Sequence, residues 1–211
     1  MPSETTLLLV RHAHSAMAGR FCGHTDAALS ELGEKQLPEI VHDLERWPIT
    51  KVYSSDLKRA YDTAVAIATS KALPILSRAG LREICFGEWE GLSWAEIEAR
   101  APAEAASWLS GFPKQAAPGG ESFEQFRSRV EAELQALVEE CEQQRVAVVT
   151  HAGVIRLALV SILGIDERSM HKIEIGYGGV TVLQYARQQG WRVEGVNISR
   201  YGHLLHGVQS H

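Results

Sequence analysis

Cysteine is scarce in this sequence. The three thiols, Cys22, Cys85 and Cys141, are odd in number and stand far apart. They compose neither a disulfide framework nor a zinc motif, so a reducing compartment is expected, with the cytoplasm as the location. Long apolar runs are also lacking, and nothing approaches the roughly 20 residues that span a bilayer. The N-terminus has no basic start followed by an apolar stretch, so no signal peptide is expected. An excess of positive charge is missing too. Lys and Arg total 21 against 26 Asp and Glu, a formal net charge of −5, which argues against nucleic acid or a membrane surface as partner. Repeats, low-complexity tracts and linkers are absent. A chain of 211 residues with 45% apolar side chains is long enough for a real core, and 1–211 reads as a single domain. Histidine is plentiful at nine residues, and it is the usual proton carrier near neutral pH.

What is present is an alternation of apolar runs and amphipathic stretches. Leu7-Leu8-Leu9-Val10 reads as part of a strand, 5–10, buried on both faces, with Arg11 and His12 at its carboxyl end. Ligands of open α/β sheets bind beyond the carboxyl ends of strands. A glycine-containing loop over 11–28 follows. Ser30 is then an N-cap for a helix running to about Trp47, with Pro38 expected to kink it. Thr50–Tyr53 is a second strand. Ser54-Ser55-Asp56 is expected to cap a helix from Leu57 to Thr69. Its first turn holds Lys58 and Arg59 against the helix dipole, a local conflict of the kind that marks functional sites. Leu73–Leu76 is a third strand. Residues 84–120 carry Trp89, Trp94, Trp108, Phe112 and three prolines, and read as an excursion with short helices folded over the sheet edge. Its tryptophans either pack this subregion or contact substrate. Ser122 and Gln125 form a capping box before a helix with a core-facing stripe at Phe123, Phe126, Val130, Leu134, Leu137 and Val138. Val146–Thr150 is a strand that ends in His151. A helix over Val154–Leu163 is stopped by Gly164. Strands near Val180–Tyr185 and Trp191–Asn197 form a hairpin. The fold class is therefore α/β, with a mainly parallel central sheet and helices on both faces.

Two strands far apart in sequence each end in a histidine, His12 and His151. As neighbours they would bring both imidazoles to one sheet edge. Arg11, Arg59 and Glu83 can join them there. Two histidines, two arginines and one carboxylate describe a phosphoryl-transfer pocket without a metal. The arginines are expected to bind the equatorial oxygens in forked hydrogen bonds. Backbone N–H groups near Gly153, at a helix start, would add donors. The guanidinium charges should depress the histidine pKa and keep His12 a neutral nucleophile. Glu83 would protonate the leaving oxygen and later take a proton from water. His151 would share the oxyanion load.

These residues lie in five ordered blocks. They are Leu-Val-Arg-His-Ala-His-Ser at 9–15, Tyr-Ser-Ser-Asp-Leu-Lys-Arg-Ala at 53–60, Leu-Arg-Glu-Ile-Cys-Phe-Gly-Glu-Trp-Glu-Gly at 81–91, Pro-Gly-Gly-Glu-Ser at 118–122 and Val-Val-Thr-His-Ala-Gly-Val at 148–154. Together they resemble the histidine phosphatase superfamily across nearly the whole chain. The resemblance implies a phosphoglycerate-mutase-like fold with a short helical excursion over the active site. It implies His12 as nucleophile, Arg11, Arg59 and His151 around the phosphate, and Glu83 as acid. It implies a small-molecule phosphate ester as partner, and no cofactor or metal. Three positions depart from the family pattern. Ala13 replaces the usual glycine, which costs about 1 kcal/mol if the backbone there needs a positive φ. His14 stands where another polar residue is common. The family's phosphate-contacting asparagine has no counterpart in Ser15-Ala16-Met17-Ala18, so Ser15 or a backbone N–H must serve.

Mutases of the family carry a longer insertion after the Glu83 region that excludes water. The excursion here is modest, which favours hydrolysis. The Phe-Gly-Glu-Trp-Glu-Gly segment and the length look most like the α-ribazole phosphatases of cobalamin assembly. A phosphoglycerate mutase or a sugar-phosphate phosphatase of the same fold is the alternative, and a homodimer stays open. A metal hydrolase built on His12-Ala13-His14 is opposed by strand geometry, which sends alternate residues to opposite sides. A non-catalytic phosphate-binding module is opposed by the intact His12, Glu83 and His151.

Overall fold

The computed structural model describes residues 4–199; both ends of the expected 1–211 domain lie outside the described residues. Strand β1 (Thr5–Arg11) is buried from Thr5 to Val10. Its alternate side chains enter two different cores. Leu8 and Val10 pack with Ile40 and Leu44 of α1 (Glu31–Leu44) and Ile67 of α2 (Lys58–Lys71). Leu7 and Leu9 pack on the other face with Phe126 and Val130 of α5 (Phe123–Glu140) and Ile155 of α6 (Ala152–Leu163).

The remaining strands are β2 (Lys51–Ser54), β3 (Ile75–Ser77), β4 (Arg145–Thr150), β5 (Val180–Ala186) and β6 (Gly190–Ile198). They form one six-stranded sheet in the order β3-β2-β4-β1-β5-β6. β3, β2, β4 and β1 run parallel, and β5 and β6 add an antiparallel hairpin beside β1. β1 and β4 are hydrogen-bonded neighbours with Arg11 opposite Thr150. The residues that follow, His12 and His151, therefore leave the sheet side by side.

Besides shifts of one or two residues at several element ends, three differences from the sequence reading have a visible cause or consequence. β3 starts at Ile75 and not at Leu73. Ala72 closes α2 in the left-handed conformation, the Leu73 N–H is taken by the Ala68 carbonyl, and Pro74 has no N–H to give. Helix α1 ends at Leu44, short of Trp47, and continues through Pro38. Ser54-Ser55-Asp56 does not cap α2 through its side chains; the N-cap is Leu57, with no side-chain cap bond. The Lys58 N–H is instead satisfied by Asp26 Oδ1 at 2.6 Å, from the loop before α1. The conflict with the dipole is relieved by that carboxylate and by a Lys58–Asp62 ion pair at 2.9 Å.

Residues 84–120 hold α3 (Trp94–Arg100) and α4 (Pro102–Gly111). Trp89, Ile97, Ala105 and Ala117 form a small core of their own, with Phe21, Trp94 and Trp108 packed against it. Trp89 meets Trp108 edge to face with ring centres 5.6 Å apart. Packing is therefore the main work of Trp89, while Trp108 and Phe112 also line a cavity described below. Among the described residues no helix is long and apolar enough to cross a membrane.

Candidate active site

At the carboxyl edge of β1 the chain turns out of the sheet, and the His12 N–H is held by the Thr150 carbonyl at 2.9 Å. His12 Nδ1 lies 2.7 Å from the carbonyl oxygen of Ala13. A carbonyl only accepts, so Nδ1 carries the proton and Nε2 keeps its lone pair. Burial, then the charges of Arg11 and Arg59, hold the His12 pKa well below the usual imidazole value. The ring of His151 stands 5.1 Å from that of His12, centre to centre. Burial lowers its pKa as well, followed by His12, Arg59 and Arg11. His151 Nε2 is 2.9 Å from Ser55 Oγ, and its buried Nδ1 has no protein partner.

A cavity of about 370 Å³ is lined by Arg11, His12, Ser15, Arg59, Glu83, Arg156 and Tyr177, among others. Arg11 lies flat on the Tyr177 ring, its guanidinium carbon 3.6 Å from the ring centre. One end donates to the Ile175 carbonyl at 2.6 Å, and its buried Nε has no protein partner. Buried polar groups are nearly always paired. Arg11 lines this cavity, whereas His151 is wholly buried behind it against the His12 ring.

Arg59 is held differently from the sequence expectation. It donates to the carbonyls of Thr25 (2.9 Å), Cys22 (3.0 Å) and Gly23 (2.8 Å). Its fork grips the loop, and it brings a charge to the cavity more than an open pair of donors. That loop hangs in turn on Glu90. The Glu90 carboxylate accepts the N–H groups of Gly23, His24, Thr25 and Phe86 and the Thr25 hydroxyl, at 2.5–3.1 Å. Burial pushes the Glu90 pKa up, but these bonds outweigh it and leave it lowered.

Glu83 lines the same cavity as His12. Its Oε2 accepts the Gly153 N–H at 2.9 Å and its Oε1 that of Ile84 at 3.0 Å. The Gly153 amide, expected among the anion donors, is therefore committed to Glu83. A Cβ at Gly153 would fall 2.1 Å from Glu83 Oε1, so only glycine lets the carboxylate approach. Ser15 is buried and lines the cavity. Its Oγ accepts the Met17 N–H at 3.2 Å. Ala13 is not among the positive-φ residues. It is buried in the core, with its N–H on Thr63 Oγ1 at 3.0 Å, and the strain considered for it does not arise. His14 Nδ1 bonds Ser30 Oγ at 2.8 Å, and its ring packs on Tyr177 at 4.9 Å. Among the described residues no group of three or more His, Cys, Asp or Glu side chains is placed to hold a metal ion.

Sequence reasoning missed Ser55, Glu90, Arg129, Arg156 and Tyr177. Ser55 and Glu90 sit inside blocks quoted above, and that placement was the available signal. Arg156 and Tyr177 have no local signature; only the fold brings them in. A second cavity of about 270 Å³ adjoins the first and shares Phe21, Glu83, Phe86 and Arg156 with it. Its other walls include Trp108, Phe112, Phe126 and Met170, so it is largely apolar.

Residues 7–199 match the model of the histidine phosphatase superfamily (branch 1). Phosphoserine phosphatase 1 of Hydrogenobacter thermophilus is 35% identical over 162 residues, 76% of this chain and 77% of that one. A bifunctional protein of Mycobacterium tuberculosis is 32% identical over 202 residues, 94% of this chain, which spans only about half (55%) of its length. The α-ribazole phosphatase of Shigella flexneri superposes with a TM-score of 0.83 at 24% identity, covering 92% of this chain and 96% of its own. That likeness shows the fold.

Proposed function

The chain belongs to the histidine phosphatase superfamily, and on that premise we propose that it hydrolyses a small phosphomonoester through a phosphohistidine. The lone pair of His12 Nε2 attacks phosphorus. The bond from phosphorus to the ester oxygen breaks, and Glu83 gives that oxygen a proton, releasing the alcohol. Water then attacks phosphorus and passes its proton to Glu83. The P–N bond breaks, phosphate leaves, and His12 is neutral again. Arg11, Arg59 and His151 carry the charge of the transferring group, with Ser15 and Arg156 in the same cavity wall. The observation that supports this reading best is the His12 tautomer, fixed by the Ala13 carbonyl, in a cavity that His12 shares with Arg11, Arg59 and Glu83. The modest helical excursion supports hydrolysis over mutase chemistry.

For the leaving group, the apolar cavity beyond Glu83 favours an alcohol that carries a flat apolar ring, as in α-ribazole 5'-phosphate. Burial of a ring there would favour it over a short polar alcohol by about tenfold or more in kcat/KM. The relative that acts on phosphoserine keeps the second reading open. A panel of phosphomonoesters, assayed with wild type and His12→Ala in the presence of a chelator, tests both. Turnover that persists with chelator and is lost in His12→Ala is expected, with ring-bearing esters ahead of phosphoserine. Phosphoserine ahead of the ring esters would leave the reaction standing and replace the substrate. Equal rates for mutant and wild type would reject the nucleophile.

A further inference from the structure

Glu83 sits on a strap, residues 82–86, that belongs to no helix or strand. Such backbone has no ladder to fix it, so something else must hold the carboxylate in place. The Gly153 and Ile84 N–H groups hold the carboxylate itself, Asp56 grips Arg82 and Glu90 takes the Phe86 N–H; the carbonyl side of the strap is held by another side chain. Arg129, on α5, donates from Nη1 to the carbonyls of Gly80 (2.9 Å) and Arg82 (2.8 Å), and from Nη2 to that of Glu83 (3.3 Å). The same guanidinium grips Glu121 in a fork, Nε to Oε1 at 3.0 Å and Nη2 to Oε2 at 2.8 Å. Glu121 in turn accepts the Cys85 N–H at 3.3 Å. The pair thus takes the strap by carbonyls up to and including Glu83 and by an amide just after it. The Phe126 ring lies under the guanidinium at 5.2 Å. Thr150 Oγ1 ties the Leu81 carbonyl to β4 at 2.7 Å.

We propose that Arg129, braced by Glu121, is a positioning residue that sets how far Glu83 reaches toward the leaving oxygen. It acts through Glu83, because its hydrogen bonds go to the strap, to the Gly80 carbonyl just before it and to Glu121; its charge also helps to lower the His151 pKa, an effect common to both esters below. The inference rests on the phosphatase reading and on Glu83 as the proton donor. Lysine cannot replace it: a single ammonium has no planar fork to reach three carbonyls and a carboxylate together.

The test compares two esters that differ in their need for a proton; the ring that one of them also carries affects wild type and variants alike and cancels when each variant is referred to wild type on the same ester. A simple alkyl phosphate must have its leaving oxygen protonated, whereas 4-nitrophenol leaves as a phenolate. The quantity compared is kcat/KM, which covers steps up to loss of the alcohol and leaves out the later attack of water. Arg129→Lys is expected to lose about a hundredfold on the alkyl ester and no more than about threefold on the nitrophenyl ester. Glu83→Gln should show the same selectivity, and Arg129→Lys with Glu83→Gln should be no worse on the alkyl ester than Glu83→Gln alone. Glu121→Gln gives a second, milder route to the same loosening. Equal losses on both esters, or additive losses in the double variant, would overturn the proposal while leaving the phosphatase reading intact. No turnover dependent on His12 in the wild type would remove both.

Discussion

In the proposed mechanism His12 attacks only while its imidazole is neutral, and its surroundings favour that form. Burial, then Arg11 and Arg59, lower its pKa, so the neutral form persists well below the ordinary value near 6.5. The acid limb of kcat/KM should accordingly lie well below pH 6.5. Arg11→Gln removes one of the two charges, so the limb should move up toward neutrality, with a loss of about 10²–10³ in rate from the missing oxyanion donor. A pH–rate profile of both proteins checks this; an unmoved limb would dissociate the guanidinium from the histidine. At this scale the sequence was informative where a residue ends an apolar run. His12 and His151 stand out because Leu9-Val10 and Val148-Val149 precede them. Tyr177, which lies on Arg11, follows a glycine in a stretch with no periodicity, and nothing local marks it.

Among the elements, the loop before α1 depends on partners remote in sequence. Asp26 caps α2, and Glu90 gathers the amides of residues 23–25 while the carbonyls of Cys22, Gly23 and Thr25 hold Arg59. Glu90→Gln leaves one acceptor oxygen where two served, so some of these donors lose their partner. A destabilisation of about 1–3 kcal/mol is expected by urea denaturation, with a larger loss in kcat/KM as Arg59 slackens. Unchanged stability would mean that water replaces the carboxylate freely. These long-range caps explain the errors in reading the elements. The strands of the central sheet were legible because they are buried on both faces and carry unbroken apolar runs. The start of β3 and the cap of α2 were not, because both are set by bonds to groups elsewhere in the chain.

Across the whole molecule, the strand order puts two buried, neutral imidazoles beside each other, and this couples stability to pH. Both pKa values are lowered in the folded chain. Below about pH 6.5 the unfolded chain takes up protons that the folded site resists, so stability present above that pH is lost as pH falls. The loss is at most about 1.4 kcal/mol per pH unit for each histidine, until the folded pKa is reached. Glu90, also lowered, adds to the loss only nearer the carboxylate range. Urea melts at pH 7 and pH 5.5 should show the decline, and His12→Asn with His151→Asn should flatten it. A slope unchanged in that double variant would assign the effect to other groups. The parallel sheet with helices on both faces was legible from the alternation of elements. The two adjoining cavities were not, since they arise where the loop at residue 21, the excursion and α6 meet.

The most direct measurement is the covalent one. The protein is mixed with a ³²P-labelled phosphomonoester, quenched in alkali within the first turnover, and the labelled peptide identified. Label on His12, stable to base and released by acid, is the expected result, with none in His12→Ala. Label on a serine, or turnover at the wild-type rate with no phosphoenzyme in either protein, would contradict the account.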